Sequence, residues 1–369
     1  MNRRAATLLL VPALLGLTAF APGGGGIRRT LADEAAEHEG TWLQWPHQYT
    51  YGKTYRNRIE STWIEMTRAL VDSENVHVVA YNKVEQSRIE DLLTANGIAL
   101  DHVDFLIRRT DDCWVRDNGP IFVRDVADGH LAITDWGFNG WGKDAPYRLD
   151  DTVPAGVAEA LGVPRIALSK TILEGGAIEV DGRGVLMATR SSLLEPDRNP
   201  KLTQVELESR LSRNFGATKF LWLDGAPGGK ADITDTHIDG FARFATPHIL
   251  ATMSDADLDY WGLSDADIAV LRDATDVHGD AYRRVDLPLT AADVVTTYGF
   301  HVGFKGSYVN FYAANTVVLV PTYADANDAV ALALIQQIYE HRTVVGIDCR
   351  NLYRDGGMVH CVTQQQSAE

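Results

Sequence analysis

The sequence has few cysteines and few basic residues, and after its first 21 residues it has no apolar run long enough to cross a bilayer. Three cysteines among 369 residues leave at least one thiol free, so disulfides contribute little to this fold. Basic residues number 34 against 50 acidic residues, which gives a net charge of −16. Because phosphate binding requires a basic surface, this balance argues against nucleic acid as a partner.

The chain begins with features of an export signal. Arg3 and Arg4 precede the apolar stretch Ala5–Phe20, and Ala19–Ala21 fits the small-x-small pattern of a cleavage site. The stretch is short for a membrane span, so a secretory signal peptide is predicted, with an uncleaved anchor as the alternative. A glycine run at Gly23–Gly26 predicts a flexible linker. We therefore expect an exported protein with no stable membrane span after cleavage.

Short apolar strands and amphipathic helices alternate through the rest of the chain, which predicts an α/β fold. One unit of strand, helix, strand, loop and strand recurs five times, at a spacing of about 50–70 residues that is typical of propellers and arrays. The last strands of the five units are predicted at Pro120–Val123, Ala177–Val180, Gly240–Phe244, Tyr308–Tyr312 and His360–Thr363. The fourth unit is predicted to contain a strand at Val285–Leu289 followed by a long loop from Thr290 to Ser307.

Each predicted loop carries residues capable of catalysis or ligand binding at the same place in its unit. In chain order these residues are Asp117, Glu174, His237 with Asp239, Asn310 and Cys361. If the five units close in a ring, the loops converge on one axis and the side chains share one pocket.

The individual motifs are each open to more than one interpretation. Trp114-x-x-Asp117 offers an aromatic wall and a carboxylate, which suits a planar cation but also a core tryptophan beside an ion pair. His237-x-Asp239, predicted in an extended segment, would place both side chains on one face. That pair could bind a metal, serve catalysis or form a structural hydrogen bond. Glu174 precedes two glycines, which permit a tight turn and close approach by a ligand.

Together these residues suit the hydrolysis of a guanidinium group. Cys361 would supply the nucleophile, and His237 would protonate the departing ammonia and then activate water. Asp117 and Asp239 would hold the guanidinium charge, and Glu174 would keep the histidine basic. Two alternatives of other classes remain: a metal hydrolase using His237 and Asp239 with Asp232 and Asp235, and an exported, non-catalytic binder of cationic guanidines.

Seven motifs resemble the family of agmatine deiminase and the bacterial peptidylarginine deiminase, within the guanidine-modifying superfamily. The resemblance covers residues 37 to 366. Its motifs are His38–Pro46, Trp114–Pro120, Trp136–Gly142, Leu173–Gly176, Asp197–Pro200, Asp235–Asp239 and Gly356–Cys361.

The resemblance implies a five-bladed, pseudo-symmetric α/β propeller formed by one catalytic domain at residues 31–369, after a signal and linker at 1–30. It implies that Cys361 is the nucleophile, His237 the acid and base, and Glu174 the partner of the histidine. Asp117 and Asp239 would bind the guanidinium, and Trp114 and Asn310 would line the pocket. No cofactor and no metal are expected. The sequence does not determine the oligomeric state, and a homodimer is one of the possibilities.

Two features depart from the family pattern. The first is the predicted export, because agmatine deiminases that feed polyamine synthesis are typically cytoplasmic. Export agrees instead with the peptidylarginine branch, where the substrate would be peptidyl-arginine. The Trp136–Gly142 and Trp42–Pro46 segments agree better with the agmatine branch, so a small free guanidine such as agmatine is favoured. Thr236 replaces the glycine usual before His237, and its β-branched side chain is expected to change the size of the pocket.

Overall fold

The computed structural model describes residues 26–226 and 232–368. The predicted signal peptide and all of the glycine run except Gly26 lie outside these residues. Within the described ranges, none of the helices combines the length and the apolar character that a bilayer span requires.

The described residues form a mixed α/β structure with short strands. The strands are β1 (Arg29–Thr30), β2 (His38–Gln44), β3 (Asn75–Ala80), β4 (Val103–Ile107), β5 (Ile121–Asp125), β6 (Leu131–Gly137), β7 (Arg165–Ile172), β8 (Ile178–Val180), β9 (Val185–Thr189), β10 (Lys219–Leu223), β11 (Arg243–Thr246), β12 (Ile249–Thr252), β13 (Arg283–Asp286), β14 (Leu289–Val295), β15 (His301–Ser307), β16 (Tyr312–Ala313), β17 (Val317–Thr322), β18 (Thr343–Asp348) and β19 (Gln364–Ser367).

The helices differ widely in length, and the shortest ones lie near the site described below. They are α1 (Gln48–Leu70), α2 (Lys83–Ala95), α3 (Val115–Asn118), α4 (Gly140–Lys143), α5 (Val153–Leu161), α6 (Arg190–Leu194), α7 (Gln204–Phe215), α8 (Asp255–Tyr260), α9 (Asp265–Arg272) and α10 (Asp328–Ile338). Helix α7 illustrates how the sequence sets these bounds. Thr203 and Glu206 form a capping box at its start, and Gly216 ends it in the left-handed conformation.

Five sheets repeat one pairing pattern, in which a central strand has an antiparallel neighbour on one side and a parallel neighbour on the other. The patterns are β5-β6-β7, β8-β9-β10, β11-β12-β13, β16-β17-β18 and β19-β2-β3. β1 adds to the first sheet and β4 to the last. The repeat predicted from the sequence is therefore present, but the last strand of each predicted unit pairs with a strand outside that unit: β5 with β6, β8 with β9, β11 with β12, β16 with β17 and β19 with β2. The last sheet joins the C-terminal strand β19 to β2 near the start of the described chain.

Parts of the predicted secondary structure are wrong. Residues 290–307, predicted as a loop, hold most of the antiparallel pair β14 and β15. Tyr308–Tyr312 is not a strand, because only Tyr312 pairs, as the start of β16; all five residues are nevertheless buried. His360–Thr363 contains a single 3-10 turn, and the strand begins one residue later, at Gln364. In addition, Arg29–Thr30, within the predicted linker, forms β1.

Candidate active site

Asp117 lies on the short helix α3, buried beneath Trp114 and held by two donors. The backbone N–H of Gly176 donates to its Oδ1 at 3.1 Å, and Trp141 Nε1 donates to its Oδ2 at 3.0 Å. Burial raises the pKa of Asp117 to about 6, and the nearby carboxylates of Asp239 and Glu174 add to the rise, against the opposing effect of His237. Asp117 is therefore a carboxylate that gains from a cationic partner.

Gly176 is the point at which three functional side chains meet. A β-carbon at this position would lie 2.7 Å from Asp117 Oδ1, 2.8 Å from His237 Nδ1 and 3.0 Å from Asp239 Oδ2. Only a glycine leaves room for this convergence. The close approach predicted for the glycine pair is thus made by the side chains of the site itself.

Both ring nitrogens of His237 face carboxylates. Nε2 lies 3.0 Å from Glu174 Oε2, and Nδ1 lies 3.6 Å from Asp117 Oδ1. Burial opposes the imidazolium, but Asp117, Glu174 and Asp239 outweigh it and raise the pKa of His237 to about 9. The predicted extended segment is wrong here, because a 3-10 turn at Ile238–Gly240 follows His237. That turn nevertheless keeps His237 and Asp239 at the same site.

Glu174 is fully buried and is supported by Arg198 on its other side. Arg198 Nε donates to Glu174 Oε1 at 3.0 Å, while its NH1 lies 2.5 Å from Asp235 Oδ2. A buried carboxylate needs such pairing to stay ionised. Because Asp235 pairs with a guanidinium, this arrangement gives no support to a metal site built on Asp235. Among the residues with described placement, no cluster of three or more histidines, cysteines and acids could hold a metal ion.

Asp239 differs from Asp117 because its carboxylate pairs with a histidine behind the site. His360 Nδ1 lies 2.7 Å from Asp239 Oδ2. Burial alone would raise the pKa of Asp239, but the hydrogen bond and charge of His360, together with His237 and Arg243, hold it below its usual range. Asp239 is therefore ionised over the whole neutral range.

Cys361 lies in the 3-10 turn His360–Val362, next to Asp239 and Asn310. Its Sγ is 3.4 Å from Asn310 Nδ2 and 3.8 Å from Asp239 Oδ2. Burial raises the pKa of the Cys361 thiol well above its usual value, and the carboxylates of Asp239 and Asp117 raise it further. Without a cation in the site, Cys361 is a thiol rather than a thiolate.

A cavity of about 260 Å³ opens onto Cys361. Trp114 packs so closely against Gly357 that a β-carbon there would lie 2.0 Å from the tryptophan ring. The lining residues are Tyr51, Asp112, Trp114, Asp117, Trp141, Ala145, Ile233, Thr234, Asp355, Gly356, Gly357 and Cys361. This set contains three aspartates and no lysine or arginine.

Thr236 is buried, has a φ of +69° and does not line this cavity. Asp235 before it has a φ of +56°, so two non-glycine residues in the left-handed region precede His237. The Oγ1 atom of Thr236 has no partner among the described residues. The effect of this substitution is therefore seen in the backbone, and the expected change in pocket size is not seen in the lining of the cavity.

The structure brings every site residue predicted from the sequence into one region, although their chemical roles remain predictions. Other residues that contact or line the site were not assigned individually from the sequence. They are Trp141, Gly176, Arg198, His360, Asp112 and Asp355. Trp141, Gly176, Arg198 and His360 lie within the seven motifs, which was the available signal. Their partners, however, lie far along the chain, as Arg198 and Asp235 do, 37 residues apart.

Residues 30–367 match the model of the Porphyromonas-type peptidyl-arginine deiminase family. The chain belongs to this family. It is similar to the agmatine deiminase of Stutzerimonas stutzeri, with 33% identity over 91% of this chain and 94% of the relative. It is also similar to the agmatine deiminase of Pseudomonas aeruginosa, with 31% identity over 94% of this chain and 97% of the relative.

A solved structure supports the same relationship. The agmatine deiminase of Enterococcus faecalis aligns with a TM-score of 0.78 and 26% identity, over 92% of this chain and 98% of that one. The mixed α/β fold is thus shared with agmatine deiminases. Membership of this family makes the chain a hydrolase of C–N bonds that deiminates guanidine groups.

Proposed function

We propose that this protein hydrolyses agmatine to N-carbamoylputrescine and ammonia through a covalent intermediate on Cys361. The observation that carries the proposal is the thiol of Cys361 beside the carboxylate of Asp239, with Asp117 and His237 gathered around Gly176. This arrangement offers a planar cation two carboxylates, a nucleophile and a proton donor.

Substrate binding would itself activate the nucleophile. Burial and the carboxylates of Asp239 and Asp117 raise the pKa of the Cys361 thiol, because they oppose a further negative charge. A guanidinium bound between Asp117 and Asp239 neutralises that repulsion and favours the thiolate. Asn310 Nδ2, 3.4 Å from the sulfur, would donate a hydrogen bond to the thiolate as it forms.

The chemistry then requires two proton transfers by His237. The Cys361 thiol loses its proton to solvent, the thiolate bonds to the guanidinium carbon, and His237 protonates the amino group that leaves as ammonia. Neutral His237 then takes one proton from water, whose oxygen adds to the thiouronium carbon. The C–S bond breaks, the second proton of that water passes to the sulfur, and the ureido product and the Cys361 thiol are released. Glu174, held by Arg198, would stabilise the imidazolium at both stages.

The acidic lining favours a substrate with a second positive charge. The inner end of the site comprises Cys361 and Asp117, which line the cavity, and the buried side chains next to them, which are His237, Glu174 and Asp239. Its outer end is the part of the cavity lining formed by Tyr51, Asp112 and Asp355. Agmatine carries a terminal ammonium that the outer carboxylates would attract, whereas free arginine or a C-terminal arginine carries a carboxylate that they would repel. The names of the agmatine deiminase relatives support the same choice.

Two further proposals concern the setting of this site. We propose that residues 1–21 direct export, which retains peptidyl-arginine as the second candidate substrate, in line with the name of the family model.

We also propose that the five repeated sheets form a five-bladed propeller, since residues following strands of different sheets meet at Gly176. A non-catalytic binder remains the alternative of another class.

The direct test measures ammonia release by the purified chain from agmatine, L-arginine and peptides that end in arginine. We expect agmatine to have the highest kcat/KM, and Cys361→Ala to lower its turnover by at least about a thousandfold. Cys349→Ala is the matched control, because that thiol is buried at the end of β18, outside the cavity lining. Retained turnover in the Cys361 variant would refute the covalent mechanism.

The remaining outcomes separate the alternatives. A preference of more than about tenfold for the peptides would change the substrate assignment to peptidyl-arginine. Tight agmatine binding without ammonia release would support the binder. Loss of activity to a chelator, but not to iodoacetamide, would support the metal hydrolase.

A further inference from the structure

His360 precedes Cys361, but its side chain is turned away from the substrate cavity. It is buried with 1% of its surface exposed, and it is not part of the lining of the 260 Å³ cavity. Instead it lines a second, small cavity of about 40 Å³, together with Glu34, Arg116 and Arg243. His360 and Cys361, although adjacent in the chain, thus line different cavities.

The two ring nitrogens of His360 connect two buried carboxylates. Nδ1 lies 2.7 Å from Asp239 Oδ2, and Nε2 lies 2.8 Å from Glu34 Oε2. An ionised carboxylate only accepts hydrogen bonds, so both contacts are satisfied when both ring nitrogens carry protons.

Glu34 is itself held by several further donors. Arg243 NH2 lies 2.9 Å and Arg116 NH2 3.2 Å from Glu34 Oε2, the oxygen that His360 also contacts, and the backbone N–H of Ala313 donates to Oε1 at 2.9 Å. Arg243 Nε also donates to Glu179 at 2.7 Å. These charged side chains are all buried. The end of His360 that points away from the substrate is thus bound to a rigid ionic network, which restricts rotation of the ring.

Asp239 depends on His360 more than Asp117 depends on any one partner. Among the described residues, His360 Nδ1 is the one nitrogen within hydrogen-bond distance of the Asp239 carboxylate. The other charged or titratable groups that face Asp239 are His237, Asp117 and Cys361, with Arg243 farther away. The backbone N–H of residue 360 also donates to Asn310 Oδ1 at 2.9 Å, so residue 360 contacts two of the groups around the sulfur.

We propose that His360 is a positioning residue, which holds the Asp239 carboxylate in place and ionised for the substrate guanidinium by bridging it to Glu34. This inference rests on the proposed function, because it assigns the role of Asp239 to guanidinium binding. It makes the Glu34 network, which does not touch the cavity, a determinant of substrate affinity.

The test compares His360→Leu, which removes both contacts, with His360→Asn, whose amide can still donate to Asp239. We expect the leucine variant to raise KM for agmatine at least tenfold with a smaller change in kcat, and the asparagine variant to recover part of the loss. In the leucine variant, the acid limb of the kcat/KM profile, which Asp117 sets in the unmodified enzyme, should gain a second ionisation from Asp239, because the hydrogen bond that keeps the pKa of Asp239 low is lost. A purely structural role would lower the yield of folded enzyme without changing that limb.

A binding measurement separates this role from chemistry and from folding. The dissociation constant of agmatine is measured in the Cys361→Ala background, with and without His360→Asn or Glu34→Gln. We expect each second substitution to weaken binding, with the Glu34 variant showing the smaller effect. If the unmodified enzyme releases no ammonia from any guanidine, the proposed function fails. If it does, but KM, affinity and the acid limb are unchanged in these variants, only the role of His360 is refuted.

Discussion

The inner and outer ends of the site are built differently. At the inner end the charged groups are buried, and two of the carboxylates have a buried side chain paired with them: Glu174 has Arg198, and Asp239 has His360. At the outer end Asp112 accepts a hydrogen bond from the Tyr51 hydroxyl, and Asp355 ends a 3-10 turn beside the exposed Arg354. The inner end is therefore suited to the reaction of any guanidine group. The outer end is suited to selecting among substrates that differ in the group attached to the guanidine.

The largest expected effect comes from filling the space at which the inner end converges. Gly176→Ala would place a β-carbon within 3.0 Å of Asp117, His237 and Asp239, and these side chains must then move apart. We expect kcat/KM for agmatine to fall at least about a hundredfold, because displacements near 1 Å are costly in catalysis. Gly240→Ala is the control, since its β-carbon would meet nothing closer than the Trp261 ring at 3.7 Å. Equal activities of the two variants would contradict this account of the inner end.

The next effect concerns the pH profile, which the inner end should control. Asp117, with a pKa of about 6, must be ionised to bind the guanidinium, so kcat/KM falls as the pH drops through about 6. His237, with a pKa of about 9, must be protonated to release ammonia, so kcat/KM falls above about 9. We expect Glu174→Gln to move the alkaline limb to lower pH by about one unit, because it removes a charge that stabilises the imidazolium. Glu159→Gln, at an exposed site on α5, should leave both limbs in place.

A smaller effect is expected at the outer end. Asp112→Asn or Asp355→Asn should raise KM for agmatine by about three- to tenfold with kcat nearly unchanged, since a charge-assisted contact contributes about 1 kcal/mol. n-Butylguanidine, which lacks the terminal ammonium, is the internal control and should be unaffected. A similar loss with both substrates would mean that the outer carboxylates do not select the tail.

The smallest effect concerns the stability of the segment before His237. Thr236→Gly removes a left-handed β-branched residue and a buried hydroxyl without a partner. We expect the variant to be more stable by about 1 kcal/mol, with a Tm higher by roughly 2 °C. Thr218→Gly, at an exposed residue outside the left-handed region, should instead lower stability. A less stable Thr236 variant would show that the threonine side chain makes a compensating contact.

The sequence predicted the repeated unit because its strands are short apolar runs bounded by turns, as at Val185–Thr189 and Val317–Pro321. It failed at β14 and β15, where exposed residues such as Ala292 and Asp293 interrupt the apolar pattern of a hairpin. It also failed at Tyr308–Tyr312, since an apolar run does not distinguish a strand from buried irregular chain.

The same physical limit applies to the site. Local chemistry predicted Asp117, His237 and Cys361, because their residue types carry the reaction. The supports that set their protonation lie in other repeats: His360 joins Asp239 across 121 residues, and Arg198 joins Glu174 across 24. Such pairs leave no periodic pattern in the sequence and emerge only from the folded chain.

The carboxylates around Cys361 have a consequence for the durability of the enzyme. Oxidants and alkylating agents attack thiolates far faster than thiols, and burial together with the neighbouring carboxylates favours the thiol at Cys361. The resting protein therefore shields its most vulnerable atom by keeping a proton on it, and it gives up that protection only while a cation occupies the cavity. Inactivation by oxidation or alkylation of Cys361 should therefore depend more on the number of turnovers than on elapsed time.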